Sequence, residues 1–199
     1  IWVAPGTYIE TETIVTKPYV HIHGADPYAT HIINLSKDKT LVLQSYVSLR
    51  DLSIHNYYTG TNSYAIYANG DSYGVSEAWI YYVFAYAGNK VDYSSYRSDY
   101  HYGFYGYGNI KVHMNHFYAY ADYGNQYNFG AYLANGARVY AKNSHFHAYY
   151  GQWAYGVYVK GGGNYSAANT TYFDGYYVKA YAKYANYNYG YYGETGGDA

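Results

Sequence analysis

Cysteine is absent from the 199-residue chain, methionine occurs once and proline three times. Without cysteine there is no disulfide framework, no thiolate zinc site and no cysteine nucleophile. Charge is scarce as well: Asp, Glu, Lys and Arg make up 13% of the residues and the formal net charge is −1, about half the charged quarter of an ordinary globular domain. Such a balance gives no electrostatic footprint for nucleic acid or for an anionic membrane surface. No run of 18 apolar residues occurs, which excludes a membrane-spanning helix. Half of the residues are apolar or aromatic, too many for a disordered chain. The length fits a single domain over 1–199 with a core of its own. The first residues, Ile1-Trp2-Val3, lie inside an apparent strand with neither Met nor a leader. The chain therefore reads as a mature protein, a fragment of a longer one or an engineered piece.

What the chain has in excess is tyrosine, 38 residues, together with 22 glycines. Their placement is periodic. Val47-Ser-Leu49-Arg-Asp51-Leu52-Ser-Ile54 aligns with Ala78 to Ala85, Val112 to Ala119 and Ala141 to Ala148, at spacings of 31, 34 and 29, and Val20-His-Ile22-His-Gly24 lies 27 residues upstream. Ala167 and Asn169 extend the first two columns by a further 26. Each unit is two short period-2 segments joined by a corner, because its inward positions switch from odd to even. A second set shares a small-apolar-Tyr signature: Ala65-Ile66-Tyr67, Gly103-Phe104-Tyr105, Gly130-Ala131-Tyr132, Gly156-Val157-Tyr158 and Gly190-Tyr191-Tyr192, with Leu41-Val42-Leu43 as an earlier version lacking tyrosine.

Three short strands per unit, no helical periodicity and unequal inserts at one corner predict an all-β fold, a parallel β-solenoid of six to seven coils. An antiparallel sandwich or barrel is the rival, but it has no reason to repeat one inward/outward register six times. The spacing points Leu49, Ile80 and Met114 inward in adjacent coils, and likewise Leu52, Val83, Phe117 and Phe146. The inserts fall at 55–64, 86–102, 120–129, 149–155 and 181–189. Val178 and Ala180 are read as the final third strand, with 170–177 as an extra bulge.

The opening, Val3-Ala-Pro-Gly-Thr-Tyr8-Ile-Glu10 through Thr13-Ile-Val15 to Val20-His-Ile22-His-Gly24 and His31-Ile-Ile-Asn34, resembles the first coils of right-handed parallel β-helices of the pectate-lyase and pectinesterase type. The repetitive remainder is similar to secreted bacterial, adhesin-like and phage-tailspike branches of that superfamily. Gly6-Thr-Tyr8-Ile-Glu10 fits the pectinesterase Gly-x-Tyr-x-Glu motif, which is structural there. The later motifs, which supply paired aspartates, a glutamine and an arginine, have no counterpart in this chain. The resemblance implies the fold and an extracellular or cell-surface location, and gives an esterase role no support.

Glycan hydrolysis needs two carboxylates flanking one bond, and lyases of the resembled fold use calcium with a basic residue. No acidic residue stacks on another in the strand columns, where Asp51 aligns with Tyr82, His116, His145 and Thr171. The densest polar cluster is Lys90, Asp92, Arg97, Asp99 and His101 in the longest insert, so Asp92, Arg97, Asp99 and His101 are the candidate catalytic residues. The alternative there is a solvated loop. His116 and His145 share a predicted column and are the candidate metal ligands. No carboxylate or cysteine joins them, and corner polar residues commonly bond turn backbone instead. No metal or other cofactor is expected.

Tyrosine dominates the surface. Tyr67, Tyr105, Tyr132, Tyr158 and Tyr192 form one predicted ladder, and Tyr86, Tyr120, Tyr149 and Tyr181 another. Stacked identical aromatics stiffen a stack of parallel strands. An aromatic face also suits contact with protein or glycan, and Tyr86, Tyr96, Tyr100, Tyr120, Tyr127 and Trp153 are the candidate binding residues. Tyr19, Tyr28, Tyr46 and Tyr57 occupy turn-like positions where Asn, Asp or Gly is the physical choice. Sequons stand at Asn34, Asn164 and Asn169.

These features point first to a non-catalytic extracellular structural or adhesive module. Its expected partners are itself, by end-to-end stacking or lateral assembly, or a neutral glycan, with no nucleic acid and no membrane insertion. A polysaccharide-active lyase or hydrolase using the 90–101 insert is the second reading. An engineered Tyr-rich scaffold is the third.

Overall fold

The computed structural model describes residues 1–88, 98–161 and 170–194 and the backbone of 197–198. The chain opens with β1 (Trp2–Val3), β2 (Gly6–Glu10), β3 (Ile14–Val15), β4 (His21–Gly24), β5 (Thr30–Asn34) and β6 (Lys39–Val42). Longer strands follow: β7 (Val47–Asn56), β8 (Asn62–Asn69), β9 (Glu77–Gly88), β10 (Tyr100–Tyr107), β11 (Lys111–Asp122) and β12 (Tyr127–Ala134). The last elements are β13 (Arg138–Lys142), β14 (His145–Tyr149), β15 (Trp153–Lys160), β16 (Thr171–Tyr176), β17 (Lys179–Lys183), β18 (Tyr187–Gly193) and β19 (Gly197–Asp198). One helical turn, α1 (Gly70–Tyr73), follows β8. Asn69 caps it by accepting from the Asp71 and Ser72 amides, and Gly74 closes it in the left-handed region.

These strands form two parallel sheets, one of twelve and one of seven. The smaller runs β18-β15-β12-β10-β8-β6-β3, and the path of the larger includes β4-β7-β9-β11-β13-β16. The chain passes from one sheet to the other and back, so sequence neighbours are not hydrogen-bonded neighbours. That organisation is compatible with a parallel β-solenoid. The stretches joining the larger sheet to the smaller are the sequence-predicted inserts, shortened because strands extend into them.

Inside, period-2 alternation delivers one apolar ladder per position. Leu49, Ile80 and Met114 are register neighbours and buried, as are Leu52, Val83 and Phe117. Phe104 and Phe117, from different sheets, meet edge-to-face at 6.2 Å. The signature glycines explain the smallness of their column. A Cβ on Gly156 would stand 2.5 Å from both the Gly190 carbonyl oxygen and the Tyr181 amide nitrogen, and Gly130 meets Gly156 and His147 in the same way. Backbone from one sheet rests there directly on backbone of the other, and only glycine fits.

Three parts of the predicted alignment are corrected. The spacing after Val112 is 27 rather than 29: Val112 pairs with Val139, Met114 with Ala141 and Tyr118 with His145. Phe146 therefore neighbours Ala119 in register, while still touching Phe117 edge-to-face at 5.9 Å. A slip of two leaves every side chain on its own face, so the inward assignment survives while the neighbours change. Second, 171–176 is not a bulge but β16, paired with β13 through Val139 and Phe173. Ala167 and Asn169 lie outside the described residues, and Gly175 follows Ala141 in that column. Third, Ala180 does belong to a strand, β17, opposite Phe146, whereas Val178 precedes it.

Candidate functional site

The outer face of the seven-stranded sheet is an aromatic surface built from three columns. Tyr67, Tyr105, Tyr132, Tyr158 and Tyr192 stack at centroid distances of 4.9, 5.2, 5.2 and 5.3 Å, with interplanar angles of 3° to 15°, as the small-apolar-Tyr signature predicts. Beside them Tyr64, Tyr102, Phe129, Tyr155 and Tyr189 form a second column at 4.6 to 5.2 Å. The sequence reading did not anticipate this one. Its signal was the aromatic three residues before each signature tyrosine. Rings of the two columns meet edge-to-face, Tyr102 against Tyr105 at 89° and Phe129 against Tyr132 at 79°. The third column is Tyr100, Tyr127, Trp153 and Tyr187 at 5.2, 6.2 and 4.0 Å. Each such pair contributes on the order of 0.5–1.5 kcal/mol beyond its buried area.

Burial sets the chemistry of these phenols. It raises the pKa of Tyr102 and Tyr105 far above the ordinary phenol, with neighbouring tyrosines adding to the shift, and lifts Tyr132 and Tyr155 to about 12. The hydroxyls stay protonated and neutral. Polar groups hold two hydroxyls of the first column: Asn69 donates to the Tyr67 hydroxyl at its first ring, and Tyr158, its fourth ring, donates to Glu194. The Lys39 ammonium lies 4.9 Å from the Tyr67 ring centre and 5.2 Å from that of Tyr64, a cation–π cap on two columns.

The six candidate binding residues do not form one strip. Tyr100, Tyr127 and Trp153 stack together on the seven-stranded face. Tyr86 and Tyr120 are register neighbours on the twelve-stranded sheet, and Tyr96 lies outside the described residues. The Tyr86 column also differs from its prediction. It runs His55, Tyr86, Tyr120, His147, Tyr181, while Tyr149 sits opposite Asp122 and Lys183. The two-residue slip moved Tyr149 one place along the same face.

Among the candidate catalytic residues, Asp92 and Arg97 lie outside the described residues, with Lys90. Asp99 serves the corner: its amide donates to the Thr61 carbonyl, and its own carbonyl accepts from the Gln126 and Tyr127 amides. His101 is fully buried, and its Nδ1 donates to the Asp122 carbonyl. The two histidines do not share a column. Tyr118 stands beside His145 at 4.9 Å, and His116 lies edge-on to Tyr82 at 6.3 Å. Among the described residues no group of three or more His, Cys, Asp or Glu could hold a metal. The described carboxylates near cations are mostly engaged: Asp51 with His23 and Arg50, Glu77 with Lys111 and His113, Glu12 with Lys37. The sequon at Asn34 is closed to modification, since its side chain is buried, donates to the Glu12 carbonyl and accepts from the Ser36 and Lys37 amides. Asn164 and Asn169 fall outside the described residues.

Two of the turn-like tyrosines, Tyr19 and Tyr46, adopt left-handed backbone at φ 62° and 59°, and so do Tyr82, Tyr123, Tyr150, Tyr177 and Tyr184. That conformation costs an L-residue with a Cβ roughly 1–2 kcal/mol. Stacking offsets part of it: Tyr19 on Tyr46 at 5.0 Å, Tyr123 on Tyr150 at 4.5 Å and Tyr150 on Tyr184 at 5.2 Å. Neither a protein-family model nor a curated protein sequence matches the chain.

Proposed function

We propose that this chain is a right-handed parallel β-solenoid of six to seven coils, three short strands to a coil, acting as a non-catalytic structural and adhesive module outside the cell. The observation that carries the reading is the outer face of the seven-stranded sheet, where three aromatic columns run side by side and carry no charge. Such a face is broad and aromatic, with its phenols held protonated by burial and with Lys39 and Glu194 set against its first two columns. Its natural occupant is a second copy. Sheets pack face to face at about 10 Å, and strands repeat every ~4.8 Å, so an identical periodic face can match it column for column. The half-buried outer column, Tyr100, Tyr127 and Trp153, supplies the contacts. The engaged state of the carboxylates and the burial of His101 favour this reading over a polysaccharide-active enzyme.

The test is light scattering and sedimentation of the whole chain against concentration, with Tyr100→Lys and Trp153→Lys. The expected result is concentration-dependent association, little affected by salt, that either lysine abolishes while the β-sheet circular dichroism shows the chain still folded. A monomer at every concentration overturns lateral assembly. Capture of a neutral glycan in its place, lost with the same variants, assigns the face to adhesion.

End-to-end stacking has an observation of its own. Trp2, Ile9 and Val15 on the first strands and Tyr181, Tyr187 and Tyr191 on the last are all exposed, and among the described residues β2, β3, β17 and β18 each pair on one side only. Strand edges of this kind template further pairing. Filaments whose length falls when Ile9→Lys is introduced support this mode.

A further inference from the structure

A groove crosses the outer face of the twelve-stranded sheet, away from the aromatic columns of the other sheet. It consists of two cavities of about 240 and 290 Å³ that share Tyr81 and Asn115 as common walls. Arg50 and Asp51 line the first, and Lys142 and Asp174 the second. Register explains its direction. Arg50, Tyr81, Asn115, Lys142 and Tyr176 occupy one outward position on five consecutive strands. The groove therefore runs across the strands for about 19 Å, four steps of ~4.8 Å.

Tyr81 differs from the column tyrosines. Its side chain lies at the mouth of both cavities, 37% exposed, and among the described residues its ring has no aromatic partner. A partly exposed ring that lines a cavity and has no ring stacked on it is a stacking platform for an apolar surface. Around it stand hydrogen-bonding groups of both kinds. Asn115 offers an amide whose oxygen already accepts from Asn143 at 3.3 Å, leaving its NH₂ group to donate. The Lys142 ammonium lies over the Tyr176 ring at 5.7 Å and makes no ion pair among the described residues. Asp174 likewise makes none among the described residues. Asp51 holds Arg50 at 2.9 Å and His23 at 2.7 Å, which fixes the guanidinium at the groove's end.

We propose that this groove binds an extended neutral glycan lying along the stacking direction of the strands, with a sugar ring on Tyr81 and its hydroxyls bonded by Asn115, Lys142 and Asp174. Each sugar hydroxyl both donates and accepts, which matches a wall carrying ammonium, amide and carboxylate together. The cations Arg50 and Lys142 are balanced by Asp51 and Asp174, so an anionic polymer gains no net attraction. A peptide strand finds no edge to extend, because β9 and β11 are each paired on both sides. This site is separate from the proposed assembly face, and either can fail without the other.

The experiment titrates the whole chain with neutral hexasaccharides (β-1,4-glucan, α-1,4-glucan, xylan and mannan types) and with polygalacturonate, at low and high salt, by calorimetry. The expected result is saturable, salt-insensitive binding of at least one neutral hexasaccharide, weakened about tenfold or more by Tyr81→Ala with the melting temperature unchanged. Asn115→Ala, which leaves the aromatic platform intact, is expected to weaken it several-fold. The proposal is overturned if no neutral hexasaccharide binds, if only polygalacturonate binds and salt abolishes it, or if Tyr81→Ala and Asn115→Ala both bind as the parent does. Loss of binding through Tyr100→Lys alone likewise overturns it, by moving the glycan to the seven-stranded face.

Discussion

On the seven-stranded sheet tyrosine is stacked on tyrosine, and on the twelve-stranded sheet Tyr81 stands, among the described residues, without a ring partner between an arginine, an asparagine and a lysine. The same side chain thus serves two ends. In a column of like rings it is construction, its faces covered above and below and its hydroxyl held neutral. Where neighbouring strands place Arg50 and Asn115 at its position, the ring is not stacked on another among the described residues and lines two cavities. A tyrosine count cannot separate these roles. What separates them is the residue that parallel pairing sets at each neighbouring position, because stacking needs a ring on the adjacent strand.

The strongest way to break the contrast is alkali. Tyr102, Tyr105, Tyr132, Tyr155 and Tyr158 all have pKa values raised in the folded state, chiefly by burial. A raised folded pKa means stability that is complete below the unfolded value near 10 and is lost as pH climbs above it. Several such groups sum, so the expected outcome is cooperative unfolding between about pH 10 and 12, with these phenols ionising only in step with the loss of β-sheet circular dichroism. Tyrosinate absorbance that completes while the sheet signal holds would contradict the burial of these columns.

Truncation sharpens the comparison residue by residue. Phe129→Ala, in the buried middle column, is expected to cost about 3–4 kcal/mol in urea unfolding, while Tyr81→Ala stays within about 0.5 kcal/mol. Equal losses would mean that Tyr81 also belongs to the architecture.

Acid acts on the other sheet. Burial, with His31 nearby, lowers the pKa of His55 to about 4, and His145 and His147 are shifted in the same direction by burial. Between about pH 6.5 and 4 the unfolded chain binds protons that the folded His55 refuses, so stability falls as pH falls through that window, by on the order of 2–3 kcal/mol at most for His55. His55→Gln is expected to flatten the profile. A profile of unchanged slope would count against the depressed value.

The smallest expected effect is a gain. Tyr177 lies at φ 53°, is 73% exposed and among the described residues touches only the Tyr176 ring. Tyr177→Asn is expected to stabilise by about 0.5–1 kcal/mol, because Asn tolerates left-handed backbone better. A loss of stability would show that the Tyr176 contact outweighs the strain.

Much of this was legible in the chain. The period-2 alternation around Leu49 and Ile80, the corner between odd and even inward positions and the repeated Gly-apolar-Tyr steps are local patterns, and local patterns fix which face a residue takes. The column through Tyr67, Tyr105, Tyr132, Tyr158 and Tyr192 follows directly from them. The histidine pair illustrates the limit. His116 and His145 each hold the outward or corner placement the pattern allows, yet a slip of two residues, invisible to a period of two, decides that Tyr118 and not His116 neighbours His145. The catalytic candidates show another limit. Asp92 and Arg97 lie outside the described residues, and His101 reads as an insert residue by composition although its parity turns it inward, onto the Asp122 carbonyl.

By itself, then, the sequence determined the class of structure, all-β with parallel repeats, along with the inward residues and the aromatic character of the surface. Those depend on alternation and composition, which are properties of consecutive residues. The tertiary structure alone decided which residues became neighbours: the middle column from Tyr64 to Tyr189, the glycine contacts between the two sheets and the groove around Tyr81. Each joins positions more than fifteen residues apart. Their juxtaposition is set by the lengths of the connecting segments and by backbone packing, neither of which a period of two encodes.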